Sequence, residues 1–342
     1  MTTAAPSRPR DAHGVREAAD VPTRRRAPGA LVGGVPVLAL LAAGSRFVGV
    51  ADVRLADVLG GRADYELIAL SRIPRTLSLV LAGAGLSVAG LIMQLLTRNV
   101  FVEPSTAGTL DFATLGLLLC ALAWPGAPIL AKMALGTAVA LAGTGLFLRI
   151  LKVVPLRDVL IVPLVGLMLG GVVGAFSTFI AYRTDLVQSL NSWTTGDFSA
   201  VIAGRYELLW ITGALVVVAA IVADRFTVAG LGEAFTTNLG LNYRRTMALG
   251  MTVVAITSAT IVLTVGALPF LGLIVPNVVR AIMGDNARRS VPWVALLGAG
   301  LVLACDLIAR TVIAPFEMPI ATILGIVGAV GFLALLWRGR RV

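Results

Sequence analysis

Thr76-Leu-Ser-Leu-Val-Leu-Ala-Gly-Ala-Gly-Leu-Ser-Val-Ala-Gly-Leu-Ile-Met-Gln-Leu-Leu96 contains no charged residue. As a helix rising 1.5 Å per residue it would be about 32 Å long, enough to cross a hydrocarbon layer about 30 Å thick. Its glycines, Gly83, Gly85 and Gly90, would weaken a helix in water, but in a bilayer they let neighbouring helices approach closely. The same reading holds outward along the chain. Hydrophobic residues make up 58% of it and charged residues 13%, against about 45–50% and about 25% in a soluble domain. A water-soluble core cannot absorb that excess. Charges gather between apolar runs of about 17 to 25 residues, the length of a membrane-crossing helix. Alternating barrel patterning is absent, and the other way to satisfy every backbone donor and acceptor in lipid is the α-helix. The expected fold is an all-α polytopic membrane protein.

Spans are expected near Ala30–Val50, Thr76–Leu96, Gly108–Trp124, Ala127–Ile150, Val159–Tyr182, Tyr206–Ala223, Met247–Pro269, Leu271–Met283, Trp293–Ile313 and Ile320–Trp337. That is about ten transmembrane helices, of which Leu271–Met283 is short for a full crossing. Residues 1–28, rich in Arg, Ala and Pro, read as a disordered tail, and residues 29–342 as one transmembrane domain. The first apolar run reads as a retained span, with a cleaved signal peptide as the alternative. An even number of spans puts both termini on one side. With them go Arg98, Arg149, Lys152, Arg157, Arg225, Arg244, Arg245, Arg280, Arg288, Arg289 and the C-terminal arginines; Arg46, Arg54, Arg62, Arg72, Arg75, Arg183, Arg205 and Arg310 fall opposite. The positive-inside rule therefore makes both termini cytoplasmic.

The composition excludes several chemistries. Cys120 and Cys305 both lie in apolar stretches and read as packing residues, not as a disulfide framework or metal cluster. His13, the one histidine, stands in the tail, away from any intramembrane metal site or proton relay. No metal, cofactor or nucleic acid is expected. A P-loop needs Gly-Lys-Ser/Thr, whereas Lys132 follows Ala131 and Lys152 follows Leu151; neither belongs to one. Asp111 and Asp306 read as acids that cap or hydrogen-bond a neighbouring helix, and Asp306 stands four residues before Arg310, a spacing that suits an ion pair.

Several stretches carry more than hydropathy: Ser71-Arg-Ile-Pro-Arg-Thr-Leu77, Gly90-Leu-Ile-Met-Gln94, Arg98-Asn-Val-Phe-Val-Glu-Pro-Ser-Thr-Ala-Gly108, Leu239-Gly-Leu-Asn-Tyr-Arg-Arg245, Pro269-Phe-Leu-Gly-Leu-Ile-Val-Pro-Asn-Val-Val-Arg280, Asp306-Leu-Ile-Ala-Arg310 and Phe316-Glu-Met-Pro319. In this order they resemble the FecCD family, permeases for siderophores, haem and vitamin B12. Two positions depart from the family pattern: Asn99-Val100 replaces Asn-Pro, and Pro276-Asn277 replaces Pro-His. The form Val102-Glu-Pro-Ser-Thr-Ala-Gly108, together with Gly284-Asp-Asn286, looks most like the branch that handles iron bound by catecholate siderophores.

The resemblance implies a fold like that of the vitamin B12 importer permease, a type II ABC importer. The chain would be a transport subunit without its own ATPase site, in the cell membrane of a bacterium. It implies an ABC ATPase subunit on the cytoplasmic face, an extracytoplasmic substrate-binding protein, a second permease subunit (a paralogue or a second copy, the branch favouring a paralogue), membrane lipid around them and a ferric siderophore as cargo. Haem or vitamin B12 is the alternative cargo, and an ion-gradient-driven secondary transporter the alternative class. Within the cytoplasmic loop 225–245, Gly230, Leu231, Glu233, Ala234, Phe235, Leu239 and Gly240 look like a coupling helix. Leu231, Phe235 and Leu239 recur at four-residue spacing, a face that fits a partner's groove or a lipid surface. The resemblance selects the groove. It also implies that Arg72, Arg75 and Arg310 bind glutamates of the binding protein, against the plain reading of helix ends snorkelling toward headgroups. Glu103-Pro104 is expected to form a structural turn. The stretches 165–178 and 320–330 are expected to line the path.

Overall fold

The structure, a computed structural model, describes residues 29–47, 68–153, 161–204, 206–313 and 316–339. The expected N-terminal tail lies outside the described residues. Helices α1 (Gly29–Phe47), α2 (Ile73–Thr97), α3 (Thr109–Ala123), α4 (Ile129–Val153) and α5 (Ile161–Arg183) are followed by the short α6 (Val187–Thr194). Then come α7 (Leu209–Ile221), α8 (Ala223–Ala229), α9 (Glu233–Asn238), α10 (Tyr243–Val265), α11 (Leu271–Met283), α12 (Ala287–Thr311) and α13 (Ile320–Gly339). Among the described residues there is no strand. Five helices are long and apolar enough to cross a membrane, the pair α7 and α8, bent by 65°, makes a sixth, and four shorter apolar segments fall within α1, α3, α11 and α13. Together these occupy every expected span.

Boundaries follow local chemistry. A π-helical turn, Ile68–Arg72, leads directly into α2, and Pro74 stands at the junction, in the first α-helical turn, where proline is best tolerated. The helix ends as Arg98 turns left-handed at φ 52° and gives its N–H to Gln94 and Leu95 carbonyls. At α10 and α12 one device recurs: a glycine at positive φ, Gly240 or Gly284, reverses the chain, and an asparagine two residues on caps the next helix. Asn242 accepts from the Arg245 N–H at 3.0 Å and Asn286 from the Arg289 N–H at 3.2 Å. Hence α10 begins at Tyr243 and α12 at Ala287, each before the first strongly apolar residue that marks the span in the sequence.

Buried α2 is the central helix, flanked by α7, α10, α11 and α12. Glycines set its contacts. A Cβ on Gly83 would lie 2.7 Å from the Gly298 carbonyl oxygen of α12, and one on Gly90 would run into the Gly272 backbone of α11. Elsewhere, α3 meets α4 at Gly116 and Gly136, and the loop before α3 meets α5 at Gly166 and Gly170. Backbone cannot yield as a flexible side chain can, so Gly90→Ala is expected to destabilise by at least about 1–3 kcal/mol. Gly145→Ala in α4, with nothing within 4 Å of the added carbon, should be neutral or mildly stabilising. The yield of monodisperse protein on heating in detergent checks both.

Candidate functional site

The residues singled out in the sequence gather at the two ends of α2, which at 25 residues is about 37 Å long. At its Arg98 end lies the short segment around α9. Gly232 at φ 109° and Gly240 at φ 79° bracket it. Consequently the helix is only Glu233–Asn238, shorter than the expected stretch from Gly230 to Gly240. Thr236 is its buried anchor, donating to the Gly232 and Val228 carbonyls at 2.6 and 3.1 Å. That anchoring turns the apolar residues outward: Leu231, Phe235 and Leu239 are 57%, 60% and 58% exposed. Leu231 and Leu239 stand outside the helix, yet all three stay together in exposure. The segment also touches α2, for a Cβ on Gly232 would lie 3.1 Å from Arg98 Nη1 and one on Gly230 3.5 Å from the Leu95 carbonyl oxygen.

At the other end, Arg75, Asp306 and Arg310 form a buried ion cluster. Arg75 Nη2 and Nε donate to Asp306 Oδ1 at 2.8 and 3.2 Å, and Arg75 Nη1 to Glu317 Oε2 at 2.8 Å. Arg310 takes the second Asp306 oxygen, Oδ2, and reaches Ser45 through its carbonyl at 3.1 Å and its hydroxyl at 3.0 Å. Asp306 is fully buried. One carboxylate therefore clasps α2 to α12, while its two guanidinia hold α1 and the segment before α13. Arg72 is half-buried and within electrostatic reach of Arg310. The three arginines singled out in the sequence do come together, two of them engaged by acids of the chain itself. The Asp306–Arg310 pair is the one the four-residue spacing indicates. Asp111 stands in the first turn of α3, where a carboxylate faces the positive end of the helix dipole. Its oxygens nestle against Gly170 and Gly174 of α5.

A third feature joins the segment 98–108 to α11. Glu103 is a turn residue, its N–H donating to Thr106 Oγ1 at 2.9 Å and its carbonyl accepting the Ala107 N–H at 3.0 Å. Its carboxylate does more than the sequence indicates. Buried, it accepts the Phe270 N–H at 3.1 Å and faces the Gly272 and Leu273 N–H groups, capping α11 from another part of the chain. At 13 residues, α11 is about 20 Å long and starts inside the protein. Non-helical backbone at that depth is tolerated only with its polar groups satisfied internally. Asn277 completes the junction by donating to the Val100 carbonyl at 2.7 Å and the Leu273 carbonyl at 2.8 Å. Val100 and Asn277, the two departures from the family pattern, thus touch.

The described residues thus form a helical membrane bundle with an exposed apolar segment at one end of its central helix and a clasped ion cluster at the other. The chain belongs to the FecCD transport family, which residues 35–338 match, and it is a multi-pass protein of the cell membrane. It is 46% identical over 303 residues to the petrobactin import system permease protein YclN of Bacillus subtilis (strain 168), covering 88% of this chain and 96% of that one. It is 39% identical to the ferric-anguibactin transport system permease protein FatD of Vibrio anguillarum (strain ATCC 68554 / 775), again over 88% and 96% of the two chains. In fold it resembles a transporter described as metal-chelate type ABC, solved in an inward-facing conformation, with a TM-score of 0.77 at 22% identity over 91% of this chain and 100% of that one. A second likeness, to PsaBC from Streptococcus pneumoniae in complex with Fab, has a TM-score of 0.59 at 13% identity, covering 82% and 95%.

Proposed function

We propose that this chain is the permease subunit of an ATP-driven importer that carries a ferric siderophore across the cell membrane. The observation that supports it most is the pair of relatives above, both siderophore permeases by name and similar over nearly their whole length. The α9 end faces the cytoplasm, as the positive-inside distribution of Arg225, Arg244, Arg245, Arg288 and Arg289 favours. There Leu231, Phe235 and Leu239 sit in a groove of a separate ATPase, which supplies the hydrolysis that no lysine of this chain is placed to support. The opposite end receives the substrate-binding protein, with half-buried Arg72 as its contact and the buried pairs of Arg75 and Arg310 to Asp306 and Glu317 as the support behind it rather than as contacts themselves, Arg being suited to hold a carboxylate bidentately. Exposed Leu164, Met168, Val172 and Phe176 on α5, with Ile326 and Val330 on α13, form apolar stripes. These fit a second permease subunit and the path between the two.

Nucleotide-driven closure of the ATPases would move the coupling segments, and α2, touching that segment at Arg98 and the ion cluster at Arg75, would carry the motion to the far end. The decisive experiment reconstitutes the chain in liposomes with its ATPase, its partner permease and its binding protein. Uptake of iron-55 bound to a catecholate siderophore should need ATP and stop with vanadate. Uptake that follows a proton gradient and ignores ATP would overturn the proposal.

A further inference from the structure

The α9 side holds a second feature that coupling does not use. Helices α1, α11 and α12 enclose an open cavity of about 670 Å³, lined by Leu38, Leu41, Val278, Ile282, Trp293 and Leu296 among other apolar residues. Its volume is within the range of sites that enclose an organic ligand, about 300–1,000 Å³. Its depth is fixed by α12, whose start donates to Thr227 of α8 at 3.1 Å, near α9. Trp293 stands about 9 Å above that start and Leu301, the last lining residue, about 21 Å above it. The groove thus runs along α12 from near its start toward the middle of that helix, beginning on the α9 side.

Charge says what kind of molecule fits. Arg288 and Arg289 both lie in the first turn of α12, where the dipole's positive end disfavours a cation. Arg288 is compensated by Asp224 at 2.9 Å, and Arg280, across the turn, by Asp285 at 2.8 Å. Arg289 is exposed and has no carboxylate within ion-pair distance among the described residues. It is four residues before Trp293 and seven before Leu296, so it shares their face at the mouth of the groove. We propose that the groove holds an acyl chain of an anionic phospholipid from the leaflet on the α9 side, its phosphate on the Arg289 guanidinium. An apolar slot between membrane helices with a basic residue at its mouth is the general form of an anionic-lipid site.

The test uses the full chain released from nanodiscs of equal phosphatidylglycerol and phosphatidylethanolamine, with bound lipid counted by native mass spectrometry. The wild type should retain phosphatidylglycerol over phosphatidylethanolamine by about fivefold. Arg289→Gln should still carry lipid but lose that preference, while Arg288→Gln keeps it. Gly300 also lines the groove, and a Cβ there finds its nearest neighbour, Leu38, only at 4.0 Å. Gly300→Phe therefore fills the slot from within and should abolish retention of both lipids at unchanged elution and melting temperature; Leu297→Trp is a second filling variant should the first fold poorly. A wild type that retains no phospholipid, or filled variants that retain as much as the wild type, overturns the site. Equal retention of the two lipids by the wild type overturns the headgroup assignment.

Discussion

Phe235→Asp is expected to leave the protein folded and inserted but without its ATPase. Phe235 is the middle of three exposed apolar residues on a segment whose internal structure rests on Thr236 and on the bracketing glycines, so its side chain supports little within the chain itself. At an interface, buried aromatic anchors of this kind each contribute about 2–4 kcal/mol, a loss of roughly 30-fold to 1,000-fold in affinity. A carboxylate in their place adds the cost of desolvating an unpaired charge. Leu239→Asp should act alike, and Phe235→Tyr should be nearly silent. Co-purification of the ATPase, with membrane insertion followed in parallel, measures the effect. A Phe235→Asp protein that still brings down its ATPase at wild-type yield would show that the apolar face rests on lipid.

The second large effect is expected at Asp306. Its carboxylate sits between two guanidinia, on residues 75 and 310, with no exposure. Removing one partner of a buried ion pair leaves uncompensated charge and costs about 3–5 kcal/mol, here with two cations left facing each other. Asp306→Ala should therefore lose most folded protein, and Asp306→Asn, which keeps the volume and one acceptor oxygen, somewhat less. Thermal unfolding in detergent checks the order. The cluster also decides how docking must be probed, because reversing Arg75 or Arg310 would set a third carboxylate against Asp306 and Glu317. Arg72→Glu avoids that direct conflict. It should weaken binding-protein docking in a properly folded protein, with partial rescue by a Glu→Arg change on the binding protein and less effect from Arg72→Lys. Unchanged docking and unchanged salt dependence in Arg72→Glu would assign that arginine to anchoring the helix end.

The places of all ten expected apolar segments were legible, six of them long enough to cross when the bent pair α7 and α8 is taken as one, because hydropathy over a membrane's width is a local sum, insensitive to what the helix packs against. The span Leu271–Met283 matches α11 at both ends, where Phe270 and Gly284 turn left-handed or glycine-only backbone. The starts of α10 and α12 were misplaced by several residues for the opposite reason. Their first turns carry Arg244, Arg245, Arg288 and Arg289, which hydropathy rejects and an asparagine cap accepts. The four-residue recurrence of Leu231, Phe235 and Leu239 and the Asp306–Arg310 spacing were readable for the same local reason. Other features needed the tertiary structure. Nothing near Arg75 in sequence indicates that it meets a carboxylate 231 residues away, or that Glu103, a turn residue by its proline, caps a helix whose first N–H lies 167 residues on. Nor does it say that Val100 and Asn277 meet. Sequence alone determined an all-α membrane protein, its spans and the faces of its short segments, because those depend on neighbours within a turn or on average polarity. Only the tertiary structure decided which buried charges pair and which half-helix is capped, since such contacts arise where glycine seams let distant helices approach closely enough to exchange hydrogen bonds.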